Sequence, residues 1–241
     1  MIPWLRGEPA FPPLASALAE PNGLLAAGGE LGPPWLLAAY RRGIFPWFGE
    51  GEPILWWSPD PRLVLVPDEL RIHRSLRRTL RRRPFELRLD TEFEGVMAAC
   101  AAPREPGGAT WILPEMQRAY GRMHELGYAH SVECWREGRL VGGLYGMALG
   151  RVFFGESMFS RETDASKVAL AHLGRLLHDW GFRLIDCQMT TPHLLSMGAR
   201  EIPRALFSGA LARWTGEGRA PGRWPADAAA ALDWSPAARA D

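Results

Sequence analysis

One carboxylate and one carboxamide close an otherwise apolar run at Phe182-Arg183-Leu184-Ile185-Asp186-Cys187-Gln188. Side chains alternate across a strand, so Asp186 and Gln188 are expected on one face, roughly 6–7 Å apart, as a pair able to hold a polar reactant. A carboxylate that caps the following turn is the structural alternative. In Phe153-Phe154-Gly155-Glu156-Ser157-Met158-Phe159 a single acid interrupts a hydrophobic strand. Alternation groups Glu156 with Phe154 and Met158, so its carboxylate either enters an apolar pocket with a shifted pKa or escapes to a sheet edge. A third pattern is basic: seven arginines and no acid occupy positions 71–83. Helical spacing gathers Arg71, Arg74 and Arg78 on one face, which Arg77 and Arg81 extend. An anion relieves the repulsion along such a face, and arginine's planar fork suits phosphate oxygens, so a nucleic-acid backbone is the expected partner; a solvated helix face is the alternative.

These residues need elements to hold them. The first 60 residues are dense in Pro, Gly and Trp, with one clear helix over 34–42 entered through proline and stopped by Gly43. A short strand at 63–66, the arginine-rich helix, a strand carrying Phe85, Leu87 and Leu89, and a helix over 114–126 follow. Three strands, 130–137, 139–149 and 151–159, are separated by tight turns and predict an antiparallel meander. Gly142, Gly143 and Gly146 in the middle strand leave room for a ligand or mark a bulge. A long helix over 163–180 and the strand 182–188 then make a potential β–α–β crossover, and Thr190 or Thr191 caps a short helix. The expectation is an α+β fold: a small loop-rich N-terminal domain over 1–61, a mixed-sheet domain flanked by helices over 62–214, and a flexible tail over 215–241 despite Trp224 and Trp234.

Composition narrows the function classes. With 241 residues, 47% hydrophobic and 23% charged, the chain is that of a folded protein with a substantial core. Twenty-eight basic residues against 27 acidic ones leave a net charge of +1, so any polyanion must be met by a local cluster. Three scattered cysteines, Cys100, Cys134 and Cys187, argue against a disulfide framework and a structural zinc site, and with no signal-like start or apolar span they point to the cytoplasm and away from membranes. There is no P-loop, no H-E-x-x-H and no C-x-x-C, so neither a metal nor a nucleoside triphosphate is expected. Histidines such as His124 and His193 read as structural.

The segments PNGLLAAGGEL (21–31), YRRGIFPWF (40–48), ILWWSPDPR (54–62), FGESMFSRETDASKVAL (154–170), LIDCQ (184–188) and GAREIP (198–203) together resemble the leucyl/phenylalanyl-tRNA–protein transferases, over about 11–211. Relative to that family 103–109 looks slightly extended. The resemblance implies a small N-terminal domain on an acetyltransferase-like domain, acting on aminoacyl-tRNA without a cofactor. It implies transfer of Leu or Phe, with Met a further candidate, to proteins beginning with Arg or Lys, which marks them for degradation; the enzyme is expected to act as a monomer. Coenzyme A acetyltransferases cradle pyrophosphate on a glycine-rich loop before the long helix, whereas here the place reads Arg161-Glu162-Thr163-Asp164-Ala165-Ser166.

The aminoacyl ester is already activated, so the acceptor amine needs only to lose its proton and approach the carbonyl. The resemblance implies Asp186 as the orienting or deprotonating carboxylate, Gln188 as its partner, and Glu156 as the group that pairs with the incoming residue. It implies an apolar slot of Leu144, Phe153, Met158, Leu170, Leu173 and Ile185, stacking of the terminal adenine on Trp47 and Trp111, and phosphate or ribose contacts at Ser166 and Lys167 on a helix N-terminus. Two rivals are distinguishable: a coenzyme A acetyltransferase binds acetyl-coenzyme A saturably, and a non-catalytic RNA-binding module tolerates loss of Asp186 or Glu156.

Overall fold

The computed structural model describes residues 2–103, 110–232 and 234, so most of the 103–109 segment lies outside the described residues. The N-terminal part holds β1 (Trp4–Leu5), β2 (Leu24–Gly28), α1 (Pro33–Tyr40), β3 (Phe45–Pro46) and β4 (Leu55–Trp57). They form a four-stranded sheet in the order β1-β2-β4-β3. Helix α1 begins on two prolines, where a missing N–H costs nothing, and the chain turns back at Gly43 (φ +74°), whose absent side chain makes room for the Phe207 ring.

The larger part runs β5 (Arg62–Leu65), α2 (Arg74–Arg82), β6 (Glu86–Leu89), α3 (Phe93–Ala101), α4 (Pro114–Glu125), β7 (Ala129–Arg136), β8 (Arg139–Leu149) and β9 (Val152–Ser160). It continues through α5 (Ala165–Asp179), β10 (Leu184–Gln188), α6 (Pro192–Ser196), β11 (Arg200–Ile202) and α7 (Arg204–Trp214). Seven strands make one mixed sheet in the order β11-β5-β10-β9-β8-β7-β6. The meander β7-β8-β9 is antiparallel, and β10 joins β9 in parallel through α5, so the α+β class and the crossover expected from sequence are both present.

Apolar clusters cover both faces of this sheet. One joins Trp35, Tyr40, Trp56 and Phe45 of the N-terminal part to Tyr120, Tyr145, Phe154 and Phe207, so the two parts share a core. The other packs α5, through Leu170, Leu173 and Leu177, against Leu63, Leu144, Phe153 and Ile185.

Four sequence expectations change. The arginine helix starts at Arg74, so Arg71 sits in the preceding irregular stretch, where its N–H donates to the Met197 carbonyl. Of the two readings of the β8 glycines the bulge holds, with register slips beside Gly142 and Gly146, and the space they leave is filled by the chain itself: a side chain at Gly142 would strike Ala165, one at Gly143 the Val132 carbonyl, and one at Gly146 the Phe153 ring. Glu156 keeps the company of Phe154, since Tyr40 meets both, but it parts from Met158. The β8–β9 register slips between Tyr145 and Gly146, which pair with Ser157 and Gly155, leaving Glu156 as the extra residue of a bulge. Phe154 therefore packs in one apolar cluster and Met158 against the other. Finally, the segment after α7, expected to be flexible, buries Trp224 and Ala229, and Leu89 of the edge strand β6 donates its N–H to the Ala226 carbonyl.

Candidate active site

Parallel pairing of β9 with β10 extends only to Phe154 opposite Asp186. Beyond that point a cavity of about 400 Å³ is lined by Gly155, Glu156, Ser157 and Met158 from one strand and Ile185, Cys187 and Gln188 from the other. All six residues of the expected apolar slot, Leu144, Phe153, Met158, Leu170, Leu173 and Ile185, stand in its wall. Trp47, 39% exposed, and Trp111 stand in the wall as well, and the Trp47 ring meets Trp57 edge-on at 5.4 Å.

The polar end of the cavity is built on Glu156. Tyr40 of α1 donates to Oε1 at 2.7 Å, Gln188 Nε2 donates to the same oxygen at 3.3 Å, and Tyr120 of α4 donates to Oε2 at 3.2 Å. The Tyr40 and Tyr120 hydroxyls also lie within hydrogen-bond distance of each other, so their two protons are shared among the contacts of this trio. Among the described residues none of this carboxylate's hydrogen-bond partners is a cation. Burial pushes its pKa up from 4.5 to about 7, against the lowering pull of the Tyr40 and Gln188 hydrogen bonds, and the Asp186 charge adds to the rise. Burial likewise raises Tyr40, Tyr120 and Tyr145 well above the usual phenol range, so all three hydroxyls keep their protons near neutrality. Tyr145 lines the cavity, and among the described residues its buried hydroxyl has no hydrogen-bond partner.

Asp186 is held differently. Its side chain is 0% exposed and takes a two-pronged ion pair from Arg62, Nε to Oδ1 and Nη2 to Oδ2, both at 2.7 Å. The Arg62 guanidinium lies between the Phe45 and Phe207 rings, 4.8 Å from each centroid. Asp186 is absent from the cavity wall. A second register slip, between Asp186 and Gln188 against β5, and a left-handed Gln188 (φ +60°) separate the two side chains that simple alternation sets side by side. They remain linked, because the Gln188 N–H donates to Asp186 Oδ1 at 2.9 Å.

Helix α6 closes another side of the cavity. Thr191 caps it by accepting from the Leu194 N–H, and Thr191, His193 and Leu194 face inward. His193, read from sequence as structural, is thus part of the wall; burial first and Lys167 second hold its pKa down. Ser166 and Lys167 stand in the first turn of α5, outside the wall, with Lys167 Nζ 3.4 Å from Asp164 Oδ1. Arg74, Arg77, Arg78 and Arg81 are all exposed on α2, as is Arg71 before it. Sequence reasoning missed Tyr40, Tyr120 and Arg62: each reads alone as a core aromatic or a strand-edge cation, and only the fold brings them to Glu156 and Asp186.

Among known proteins, the family profile described as leucyl/phenylalanyl-tRNA protein transferase matches residues 64–212, and that of its N-terminal domain matches 29–60. A leucyl/phenylalanyl-tRNA–protein transferase of Azoarcus sp. (strain BH72) is 70% identical over 98% of this chain and 100% of its own length. The one of Aromatoleum aromaticum is 69% identical over 96% and 98%. That of Nitrosomonas europaea is 64% identical over 86% and 88%. The chain belongs to the leucyl/phenylalanyl-tRNA–protein transferase family.

Proposed function

We propose that this enzyme moves leucyl or phenylalanyl groups from aminoacyl-tRNA to the α-amine of proteins that begin with Arg or Lys. The observation that carries the reading is a single cavity with an apolar wall and, at its other end, a carboxylate that among the described residues has hydroxyl and carboxamide donors but no cation. Leu144, Phe153, Met158, Leu170, Leu173 and Ile185 take the donor's side chain. A β-methyl in a filled slot costs about 1–3 kcal/mol, which disfavours Ile and Val. Trp47 and Trp111 stack on the terminal adenine. Ser166 and Lys167 meet the following phosphate, and Arg71, Arg74, Arg77, Arg78 and Arg81 track the RNA backbone, whose supply of charged donor is cytoplasmic.

Glu156 supplies the missing countercharge. Its carboxylate receives the acceptor's ammonium, holds it beside the ester and takes a proton; free α-amines have pKa values of about 7.7–8.0, so a carboxyl raised to about 7 is well matched. The amine nitrogen then adds to the ester carbonyl, and collapse of the tetrahedral intermediate breaks the bond to the terminal ribose oxygen, which leaves with the second proton given up by the nitrogen. Tyr40, Tyr120 and Gln188 fix the carboxylate's orientation. Asp186 acts at one remove: neutralised by Arg62, it fixes the backbone N–H of Gln188 and so the splayed end of β10. This departs from the role that the resemblance implied for it.

Labelled leucyl-tRNA incubated with peptides differing only in their first residue tests the proposal. Label is expected on Arg- and Lys-initiated peptides and not on Ala-initiated ones; equal labelling of all three would overturn the acceptor assignment.

A further inference from the structure

Behind the slot wall stands the C-terminal segment. Trp224 is 5% exposed, and its indole lies flat on the His130 ring, with centroids 4.0 Å apart and planes 5° apart. The Trp224 backbone N–H donates to Asp90 Oδ2 at 3.0 Å, the same carboxylate that takes the His130 ring nitrogen at 2.8 Å and the Ser131 N–H at 2.9 Å. The Trp180 ring closes edge-on at 5.0 Å. Backbone and ring of Trp224 are therefore fixed independently, a degree of constraint that a mere cover for apolar surface does not need.

What this anchored ring touches gives it a consequence. Its centroid is 5.9 Å from that of Phe153, which stands in the cavity wall. On another side the Phe153 ring sits so close to Gly146 that a side chain there would come within 2.6 Å of it. Phe153 is thus backed by bare backbone of β8 and by Trp224, and close-packed interiors transmit such restraints to the facing surface.

We propose that Trp224 is a specificity-determining positioning residue, which fixes the depth of the slot by backing Phe153 and so sets the balance between leucyl and phenylalanyl donors. This rests on the assignment of the cavity as the aminoacyl slot. A smaller residue at 224 lets Phe153 withdraw, deepening a slot in which each methylene is worth about a tenfold or larger discrimination. The larger donor side chain gains and the smaller one loses contact.

The test compares kcat/KM for phenylalanyl-tRNA and leucyl-tRNA, with one acceptor peptide, in wild type, Trp224→Phe, Trp224→Leu and Phe153→Leu. The expected phenylalanyl-to-leucyl ratio rises about twofold in Trp224→Phe and about tenfold in Trp224→Leu, with Phe153→Leu shifting it at least as far. A role in stability alone slows both donors equally. If Phe153→Leu moves the ratio while both Trp224 variants leave it unchanged, the proposal fails and the slot stands. If all three leave it unchanged, the slot assignment falls and takes the proposal with it. Should Trp224→Leu not fold, Trp224→Phe decides, and an unaltered ratio there overturns the proposal.

Discussion

Asp186 and Glu156 are two acids at the splayed ends of neighbouring strands, and they meet opposite fates. Asp186 is fully enclosed and matched by two charge-assisted hydrogen bonds from Arg62. Glu156 faces a cavity and is held by neutral donors, so its charge is solvated but not cancelled. A charge already neutralised has nothing further to offer a substrate. One left without a cation is destabilising in the free enzyme and favourable once an ammonium arrives, which is the differential binding that a reactive site requires.

The largest expected effect falls on the neutralised pair. Asp186→Asn leaves the buried Arg62 guanidinium uncompensated, a loss of about 3–5 kcal/mol. Thermal unfolding should show the midpoint lowered by roughly 6–20 °C for a chain of this size. A midpoint unchanged within about 2 °C would erase the distinction between the two acids.

Glu156→Gln should do the reverse, slowing transfer about 100-fold at pH 8 without loss of stability. The sign follows from its raised pKa. A carboxyl lifted from 4.5 to about 7 favours the fold while protonated, and that contribution is lost as pH rises through 7. At pH 8 the neutral amide is therefore expected to be at least as stable as wild type by thermal unfolding.

Tyr40→Phe sharpens the contrast more gently. Removing the 2.7 Å donor withdraws one of the interactions that hold the Glu156 pKa down, so the pH at which activity rises should move upward, with transfer about tenfold slower at pH 7. The same change leaves both bonds of the Arg62–Asp186 pair in place and removes the hydroxyl's bonds to Glu156 and Tyr120, so it should cost about 1–2 kcal/mol of stability, the value of one or two net hydrogen bonds.

Much of this contrast was hidden in the sequence, for physical reasons. Strand alternation singled out both acids and Gln188, and the six residues that the resemblance implied for an apolar slot all line one cavity. Alternation cannot foresee a bulge, and two bulges decide where these side chains point: one parts Met158 from Glu156 and Phe154, the other parts Asp186 from Gln188. The tyrosines come from helices 80 residues apart in sequence, and an aromatic on an amphipathic helix looks like core wherever it occurs. The N-terminal sheet was invisible because its strands are two to five residues long. Alanine, proline and glycine around Trp224 masked an anchor whose partners, His130 and Asp90, lie far from it in sequence.

The smallest expected effect lies furthest from the acids. Replacing Arg74 and Arg78 together by alanine should leave peptide-side kinetics intact and flatten the salt dependence of tRNA binding by about 2 in slope. An unchanged slope would remove α2 from the RNA interface.

The central claim is that the cation-free carboxyl of Glu156 carries the acceptor's proton. It is tested most directly by the ratio of wild-type to Glu156→Gln single-turnover transfer rates between pH 5.5 and 8.5, because protonation of the shared acceptor amine cancels in that ratio. The account predicts a ratio that climbs with a midpoint near 7 towards about 100. A ratio independent of pH would contradict it.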